Sequence, residues 1–86
     1  MAVEIPTDPN ALLRRRRTAQ VLTEAGYPTA ESTLATKATR GGGPPYRSYG
    51  RAALYRWGDA LAWAQSRMSP LRASTSESDA RRRHAA

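Results

Sequence analysis

Apolar positions with helical spacing occupy three segments of the chain, and glycine or proline separates the segments. The first helix is predicted over residues 14–25, where Ala19, Leu22 and Ala25 lie three positions apart. Gly26 follows as the expected stop, because glycine readily adopts the left-handed conformation that ends many helices. The pattern therefore predicts a short amphipathic helix with a single apolar stripe.

A second helix is predicted over residues 29–40, with Thr29 as its N-cap. Pro28 separates it from the first, because proline disfavours helical geometry in the residue before it. Leu34, Ala35 and Ala38 share one face and should pack on the first helix. The other sides carry short hydroxyl groups, with cations toward the C-terminal end: Ser32, Thr33, Thr36, Lys37, Thr39 and Arg40.

A β-hairpin is predicted after the glycine and proline run at positions 41–45, which ends the second helix abruptly. Residues 46–49 and 52–55 are its two short strands. Gly50 supplies the positive φ that the tight turn between them requires. The tip of the hairpin would then carry a small basic finger formed by Arg47, Ser48 and Arg51.

The third helix is predicted over residues 57–68. Trp57, Leu61 and Ala64 recur at helical spacing, and Trp63 lies to one side of them. Because the chain contains no Phe, both tryptophans are expected to serve as large core residues rather than as platforms for nucleic-acid bases. The predicted fold is therefore mainly α with a small β-hairpin, and its single domain covers residues 13–69.

The two ends of the chain are predicted to lie outside this domain. Residues 1–12 are predicted to form an N-terminal arm. Two structures are possible where this arm meets the first helix. Asp8 followed by proline could cap a helical turn through Leu13, or the same residues could form a short strand. Residues 70–86 are predicted to be a disordered basic tail, because their composition cannot bury a core.

The charge of the chain narrows the classes of partner. Its 86 residues carry 14 Lys and Arg against 7 Asp and Glu, a formal net charge of +7. All but one of the basic residues are Arg, whose planar fork suits phosphate and guanine, so a nucleic-acid partner is indicated. No apolar run approaches the roughly 18 residues of a membrane span, and the acidic, proline-broken N-terminus is unlike a signal peptide.

Catalytic and metal-binding classes are not supported by the residue types present. Without Cys, the chain can form neither a disulfide nor a zinc site with thiolate ligands. The lone His84 cannot build a metal site or a catalytic triad by itself. We therefore expect no enzyme activity, no metal, no cofactor and no small-molecule ligand.

Four consecutive arginines are predicted to occupy the first turn of the first helix, where positive charge opposes the helix dipole. We interpret this unfavourable placement as a sign that the charge is used elsewhere, although a solvated face is the simpler alternative. The arginines expected to contact phosphate are Arg15, Arg16 and Arg17.

The polar side of the second helix fits a recognition helix. Short hydroxyl side chains allow a helix to lie deep in the major groove, and cations can then reach phosphates or guanine edges. An ordinary surface helix remains the alternative, because two helices joined by a tight turn are common in all-α proteins. The residues predicted to contact DNA from this helix are Ser32, Thr33, Thr36, Lys37 and Arg40.

Several motifs between positions 26 and 67 occur in the order of a known family. They are Ser32-Thr33-Leu34, the block GGGPPY at 41–46, Gly50-Arg51, Tyr55-Arg56 and Trp63. In these motifs the chain resembles the small excisionase and prophage-regulator family, which has a MerR-like winged helix-turn-helix. The resemblance covers roughly residues 13–68. More narrowly, the chain resembles the recombination directionality factors of rhizobial integrative and conjugative elements.

The resemblance implies a sequence-specific DNA-binding excisionase that performs no chemistry of its own. Such factors bind repeated sites on double-stranded DNA beside an attachment site, as copies lying side by side, and bend the DNA. They direct a partner tyrosine-type integrase to excise a mobile element. The resemblance also implies a bacterial, cytoplasmic protein that is associated with the nucleoid when bound. Related members are transcriptional regulators, and the sequence does not separate the two roles.

A different class remains open, namely a basic RNA-binding peptide or protein adaptor. Exposed aromatic side chains available for base stacking would distinguish it. The candidates are Tyr46, Tyr49 and Tyr55, for which we expect packing within the hairpin instead.

Overall fold

Three helices and a three-stranded antiparallel sheet make up the computed structural model, which describes residues 3–69 and 71. The predicted tail at 70–86 therefore lies almost wholly outside the described residues. The elements follow one another as β1 (Leu12–Arg14), α1 (Arg15–Glu24), α2 (Glu31–Arg40), β2 (Arg47–Tyr49), β3 (Ala52–Arg56) and α3 (Trp57–Ser66).

The sheet has the strand order β1-β3-β2, so that β3 is central. β2 and β3 form the predicted hairpin, with Ser48 opposite Ala53, and their pairing confirms it. β1 adds a third strand on the other side of β3, with Leu13 opposite Tyr55. Of the two structures left open for this segment, the strand is therefore correct and the helical turn is wrong.

A tight turn precedes β1 and explains why no helix forms there. The carboxylate of Asp8 accepts a hydrogen bond from the backbone N–H of Asn10 at 2.9 Å, and the Asp8 carbonyl accepts one from Ala11 at 3.1 Å. These bonds satisfy the local donors in a turn, as Asp commonly does. Pairing with β3 then extends the next residues, including Leu12, which the sequence assigned to the arm.

The residues before β1 also hold the start of α3. The carbonyls of Ala11 and Pro9 accept hydrogen bonds from the backbone N–H groups of Trp57 and Gly58, both at 2.8 Å. The first N–H groups of a helix have no partner within the helix, so these contacts satisfy them in place of a side-chain cap. The segment before the predicted domain therefore contributes directly to the fold.

The core lies between α1, α3 and the sheet. Its buried cluster combines Val21 and Leu22 of α1 with Trp57, Ala60 and Ala64 of α3. The apolar stripe predicted for α1 is thus confirmed at its centre. Partly buried side chains packed around this cluster include Leu13, Ala25, Tyr27, Leu61 and Trp63.

All three helices are shorter than predicted, and α1 covers Arg15–Glu24 instead of 14–25, because Arg14 belongs to β1 and Ala25 is the C-cap. Residue 29 is not the N-cap of α2, because Ala30 occupies that position and has no capping side chain. Thr29 turns toward α1 instead, where its backbone N–H donates to the hydroxyl of Thr23 at 3.1 Å. α3 ends at Ser66, two residues earlier than predicted. At the start of α2, the contact between Thr29 and Thr23 of α1 thus replaces the predicted side-chain cap.

The stop predicted at Gly26 is confirmed. Gly26 has a φ of 104°, and its N–H donates to the carbonyl of Thr23 at 3.1 Å. The N–H of Tyr27 then reaches the carbonyl of Leu22 at 2.8 Å. Both bonds satisfy the last carbonyls of α1 in the pattern of a Schellman motif. Within the described residues, no helix is both long and apolar enough to cross a membrane.

Candidate nucleic-acid interface

One side of α2 is anchored in the protein and the other is open to solvent. Leu34 is fully buried, and Ala35 and Ala38 beside it are half-buried. The residues predicted for DNA contact lie on the remaining sides, which we call the polar face of α2. Its members are Ser32, Thr33, Thr36, Lys37 and Arg40, of which the first four line one shallow depression.

The C-terminal end of α2, where the cations lie, is held by the glycine loop that follows it. The N–H of Gly41 donates to the carbonyl of Lys37 at 2.7 Å. At Gly43 the loop returns so close that an added Cβ would lie 2.9 Å from the Cβ of Lys37, so a side chain there would collide. Trp63 of α3 donates its indole N–H to the carbonyl of Gly42 at 2.8 Å. The third helix therefore holds the cationic end of α2.

The hairpin presents its tip to solvent. Ser48 and Arg51 lie close to the tip, as predicted, whereas Arg47 begins β2 opposite Leu54 and lies further from the turn. All three side chains are exposed. Gly50 occupies the turn with a φ of 60°, which confirms the sequence prediction for this position. No element among the described residues covers the tip, so these side chains are available to a partner.

The prediction that packing accounts for the three hairpin tyrosines is correct only in part. Tyr55 is 1% exposed, and Tyr46 lies against it with ring centroids 5.5 Å apart. Tyr49, however, is 78% exposed. It ends β2 opposite the small Ala52, so β3 offers it no large side chain to pack against. One aromatic ring is therefore open to solvent at the tip.

A second charged surface, which we call the basic groove, joins two segments that lie far apart in the sequence. Arg51 of the hairpin turn and the arginines at the start of α1 line the same depression. Sequence reasoning found both groups but did not predict that they meet. The full lining is Arg14, Arg15, Arg16, Arg17, Gln20, Glu31, Arg51, Ala52 and Ala53.

Positive charge dominates the basic groove. Glu31 is its single carboxylate, against five arginines in the same lining. The salt bridge found among residues 3–69 and 71 joins Arg56 to Asp59 at 3.1 Å and lies outside this lining. Like charges brought together without acidic partners repel one another, so this surface favours a bound anion. Glu31 also begins α2, which makes the groove adjacent to the N-terminal end of that helix.

Arg15 differs from the other arginines of the groove. Its Nε donates to the hydroxyl of Tyr55 at 3.1 Å. Its guanidinium carbon lies 5.8 Å from the ring centroid of Tyr46 and 6.0 Å from that of Tyr55. Arg16 and Arg17 are exposed, whereas Arg15 is only half-exposed. The three predicted phosphate contacts therefore have unequal surroundings.

Arg67 is the C-cap of α3 and was not among the residues predicted to contact DNA. Its guanidinium lies over the ring of Trp63, 5.1 Å from the centroid. Both residues line a cleft that also includes Thr33 of the polar face, so the cleft continues that face toward α3. The four-residue spacing of Trp63 and Arg67 is the sequence signal that could have indicated this pair.

Among the described residues, no group of three or more His, Cys, Asp or Glu is placed to hold a metal ion. The chain matches no family model, and no similar protein or solved structure was found in comparisons with curated proteins and experimental structures. The family resemblance therefore depends on the sequence motifs themselves.

Proposed function

We propose that the chain is a winged helix-turn-helix protein that binds double-stranded DNA and acts as an excisionase. In this proposal α1 and α2 form the helix-turn-helix, α2 is the recognition helix, and the β2–β3 hairpin is the wing. The supporting observation is the arrangement of α2. Leu34 buries one side of the helix, while five residues able to form hydrogen bonds remain on the other sides, beside a groove lined by arginines.

The polar face of α2 reads the bases in this proposal. Arg40, whose guanidinium is a planar fork, can donate two parallel hydrogen bonds to a guanine edge, and Lys37 can donate to the same acceptors. The hydroxyl groups at 32, 33 and 36 are short enough to let the helix approach the floor of the major groove. The glycine loop and Trp63 hold the backbone at the end of α2 that carries the two cations, so that little ordering of this backbone is needed on binding.

The basic groove and the wing hold the phosphate backbone. Contacts with phosphate carry no sequence information, but they supply affinity and fix the orientation of the protein. Arg16 and Arg17 of α1 and Arg51 of the hairpin turn all line this groove. Arg47 and Ser48 extend the contact along the wing. A backbone strand bound in the groove would thus connect the recognition helix with the wing.

A single module of this size buries about 600–1,000 Å² of its own surface on DNA, so useful affinity requires adjacent copies. We therefore propose that several copies bind repeated sites side by side beside an attachment site and bend the DNA. A tyrosine-type integrase would be the partner that the bent complex directs toward excision. The protein would act in the bacterial cytoplasm, on the nucleoid.

Footprinting on attachment-site DNA tests this proposal directly. We expect regularly spaced protected segments, one for each bound copy, and a change in mobility on circularly permuted fragments because the DNA is bent. Arg40→Ala should weaken the protection, so that a higher protein concentration is needed to observe it. Arg40→Lys is the matched control, because it keeps the charge and loses only the planar fork. Binding that is identical on attachment-site and random DNA would contradict the assignment of a recognition helix.

A transcriptional regulator would use the same surface. An excision assay with the integrase present, run beside a promoter fusion, separates the two roles. The excisionase assignment fails if the promoter responds to the protein and excision does not.

The exposure of Tyr49 supports one further candidate, the binding of a single-stranded nucleic acid. An exposed ring can stack on any base, and such a contact contributes about 1–3 kcal/mol. Tyr49→Leu should then weaken binding to a single strand much more than binding to a duplex. Equal affinities of this variant and the unmodified protein for a single strand would remove this candidate.

A further inference from the structure

The side chain of Arg15 connects three parts of the chain. Arg15 is the first residue of α1, and its Nε donates to the hydroxyl of Tyr55 in β3 at 3.1 Å. Its guanidinium also faces the ring of Tyr46, which precedes β2, at 5.8 Å. The two rings lie 5.5 Å apart and form one aromatic surface beneath the cation. A single guanidinium thus links the start of α1 to β3 and to the residue that precedes β2.

This contact is suited to holding elements together. Tyr55 is 1% exposed, so its hydroxyl has little access to water that could replace the bond. A hydrogen bond from a cation is stronger than one between neutral groups, and a partly desolvated guanidinium gains from the faces of aromatic rings. Arg is needed for this arrangement, because the ammonium of Lys has neither the planar group nor a fixed Nε donor.

The bond between Arg15 and Tyr55 affects how α2 and the hairpin are placed relative to each other. α1 packs against α2, and Arg15 joins α1 to the hairpin. The distance between the polar face of α2 and the hairpin tip therefore depends partly on this link. Two groups that must contact DNA together lose affinity when their spacing is free to vary, because the ordering then occurs on binding.

We propose that Arg15 is a positioning residue, which fixes the hairpin relative to α1 and α2, and that its charge does not neutralise a phosphate. This inference rests on the proposed function for its effect on DNA binding. The structural link itself does not depend on DNA.

Tyr55→Phe is the most informative variant, because it removes only a buried hydroxyl and changes no charge. We expect it to weaken specific duplex binding by about five- to twentyfold, the effect of losing a charge-assisted hydrogen bond that orders the hairpin. The slope of log K against log salt should stay unchanged. Arg15→Gln should likewise weaken duplex binding without changing the slope. The double variant Arg15→Gln/Tyr55→Phe should bind no more weakly than Arg15→Gln alone.

Variants of Arg16 and Arg15 distinguish a phosphate contact from a positioning role. Arg16→Gln should lower the slope by about 0.9, as expected for one lost phosphate contact. Arg15→Lys should fail to restore affinity, although a residue that contacts phosphate only through its charge would tolerate it. The proposal is overturned if Arg15→Gln lowers the slope as Arg16→Gln does while Tyr55→Phe binds normally.

Hydrogen exchange of the free protein tests the link without DNA. The hairpin amides of Tyr55→Phe and Arg15→Gln should exchange several-fold faster, whereas the amides of α1 serve as the reference. Equal acceleration of both sets would indicate general destabilisation and would overturn the positioning role. If the unmodified protein binds no duplex, the proposed function fails, and hydrogen exchange still decides the role of Arg15.

Discussion

The polar face of α2 and the basic groove are built in opposite ways. The polar face comes from one helix, between positions 32 and 40, and combines three hydroxyl side chains with two cations. The groove comes from the start of α1 and the hairpin turn, and arginines dominate its lining. The first surface offers varied hydrogen-bonding groups at set positions along a helix, and the second offers concentrated charge.

In the proposed function, this difference separates the selectivity of DNA binding from its affinity. Base edges are distinguished by the direction and number of hydrogen bonds, which a rigid helix can present. Phosphates are alike at every base pair, so a groove that binds them contributes to all sequences equally. The two surfaces meet at Glu31, which starts α2 and also lines the groove. We therefore expect variants of the two surfaces to affect different measured quantities.

The largest effect on stability and binding is expected in the core, because α1 packs against the elements that carry both surfaces. Leu22 is fully buried in α1, which packs on α2 and on the sheet. Leu22→Ala should lower the free energy of unfolding by about 2–5 kcal/mol, because it removes core contacts and leaves a cavity. Chemical denaturation measures this change. Specific and nonspecific DNA binding should fall together, with their ratio unchanged.

Leu12→Ala is the matched control for this prediction, because Leu12 is 58% exposed. Its effect on stability should stay below about 0.5 kcal/mol. A similar loss in both variants would show that the core does not support the two surfaces as described.

The next largest effect is expected at the cationic end of the polar face. Lys37→Ala and Arg40→Ala should each reduce the preference for the specific site by about 1–3 kcal/mol, because a base contact is lost. Competition between specific and random duplexes in a gel-shift assay measures this preference. If the preference survives both substitutions, α2 is not the reading element, and the proposed division between the two surfaces is wrong.

A smaller effect is expected at the hairpin turn. Gly50 has a φ of 60°, and no atom beyond its chain neighbours lies within 4 Å of the position of an added Cβ, so Gly50→Ala introduces backbone strain alone. The strain should destabilise the hairpin by about 1–2 kcal/mol. Gly50→Asn is the control, since Asn accepts this conformation more readily than Ala. The hairpin amides should exchange faster with solvent in Gly50→Ala than in Gly50→Asn. Equal exchange rates in the two variants would contradict the strain argument.

The smallest effect is expected at Arg51. Arg51→Ala should lower the slope of log K against log salt by about 0.9 and leave the preference for the specific site unchanged. Arg51→Lys should keep the slope, because it keeps the charge. Loss of site preference in Arg51→Ala would mean that the groove reads sequence, which would remove the distinction between the two surfaces.

Local patterns were enough to predict most of the helices and the polar face of α2. Leu34 was identified as the buried residue of α2 from its spacing, because helical periodicity places every third or fourth residue on one side. Gly26 and Gly50 were identified as a helix stop and a turn, because both conformations need a positive φ. In these cases the decisive interactions lie within a few residues of chain.

The errors occurred where a residue of a different helix or strand supplied the deciding contact. Thr29 was predicted to cap α2, but its backbone N–H bonds to Thr23 of α1 instead. The turn at Asp8 could have capped a helix, but pairing with β3 extends the residues that follow it. Tyr49 was expected to pack within the hairpin, but the partner strand places a small residue opposite it.

By itself, the sequence determined that this protein has three short amphipathic helices, a Gly-centred hairpin and a strongly basic surface. Periodicity, proline, glycine and charge act locally and are visible in a single chain. Only the tertiary structure decided that Arg51 meets the arginines of α1 and that Arg15 bonds to Tyr55. These contacts join residues far apart in sequence, and they form because the sheet and the packing of α1 bring the two segments to the same place.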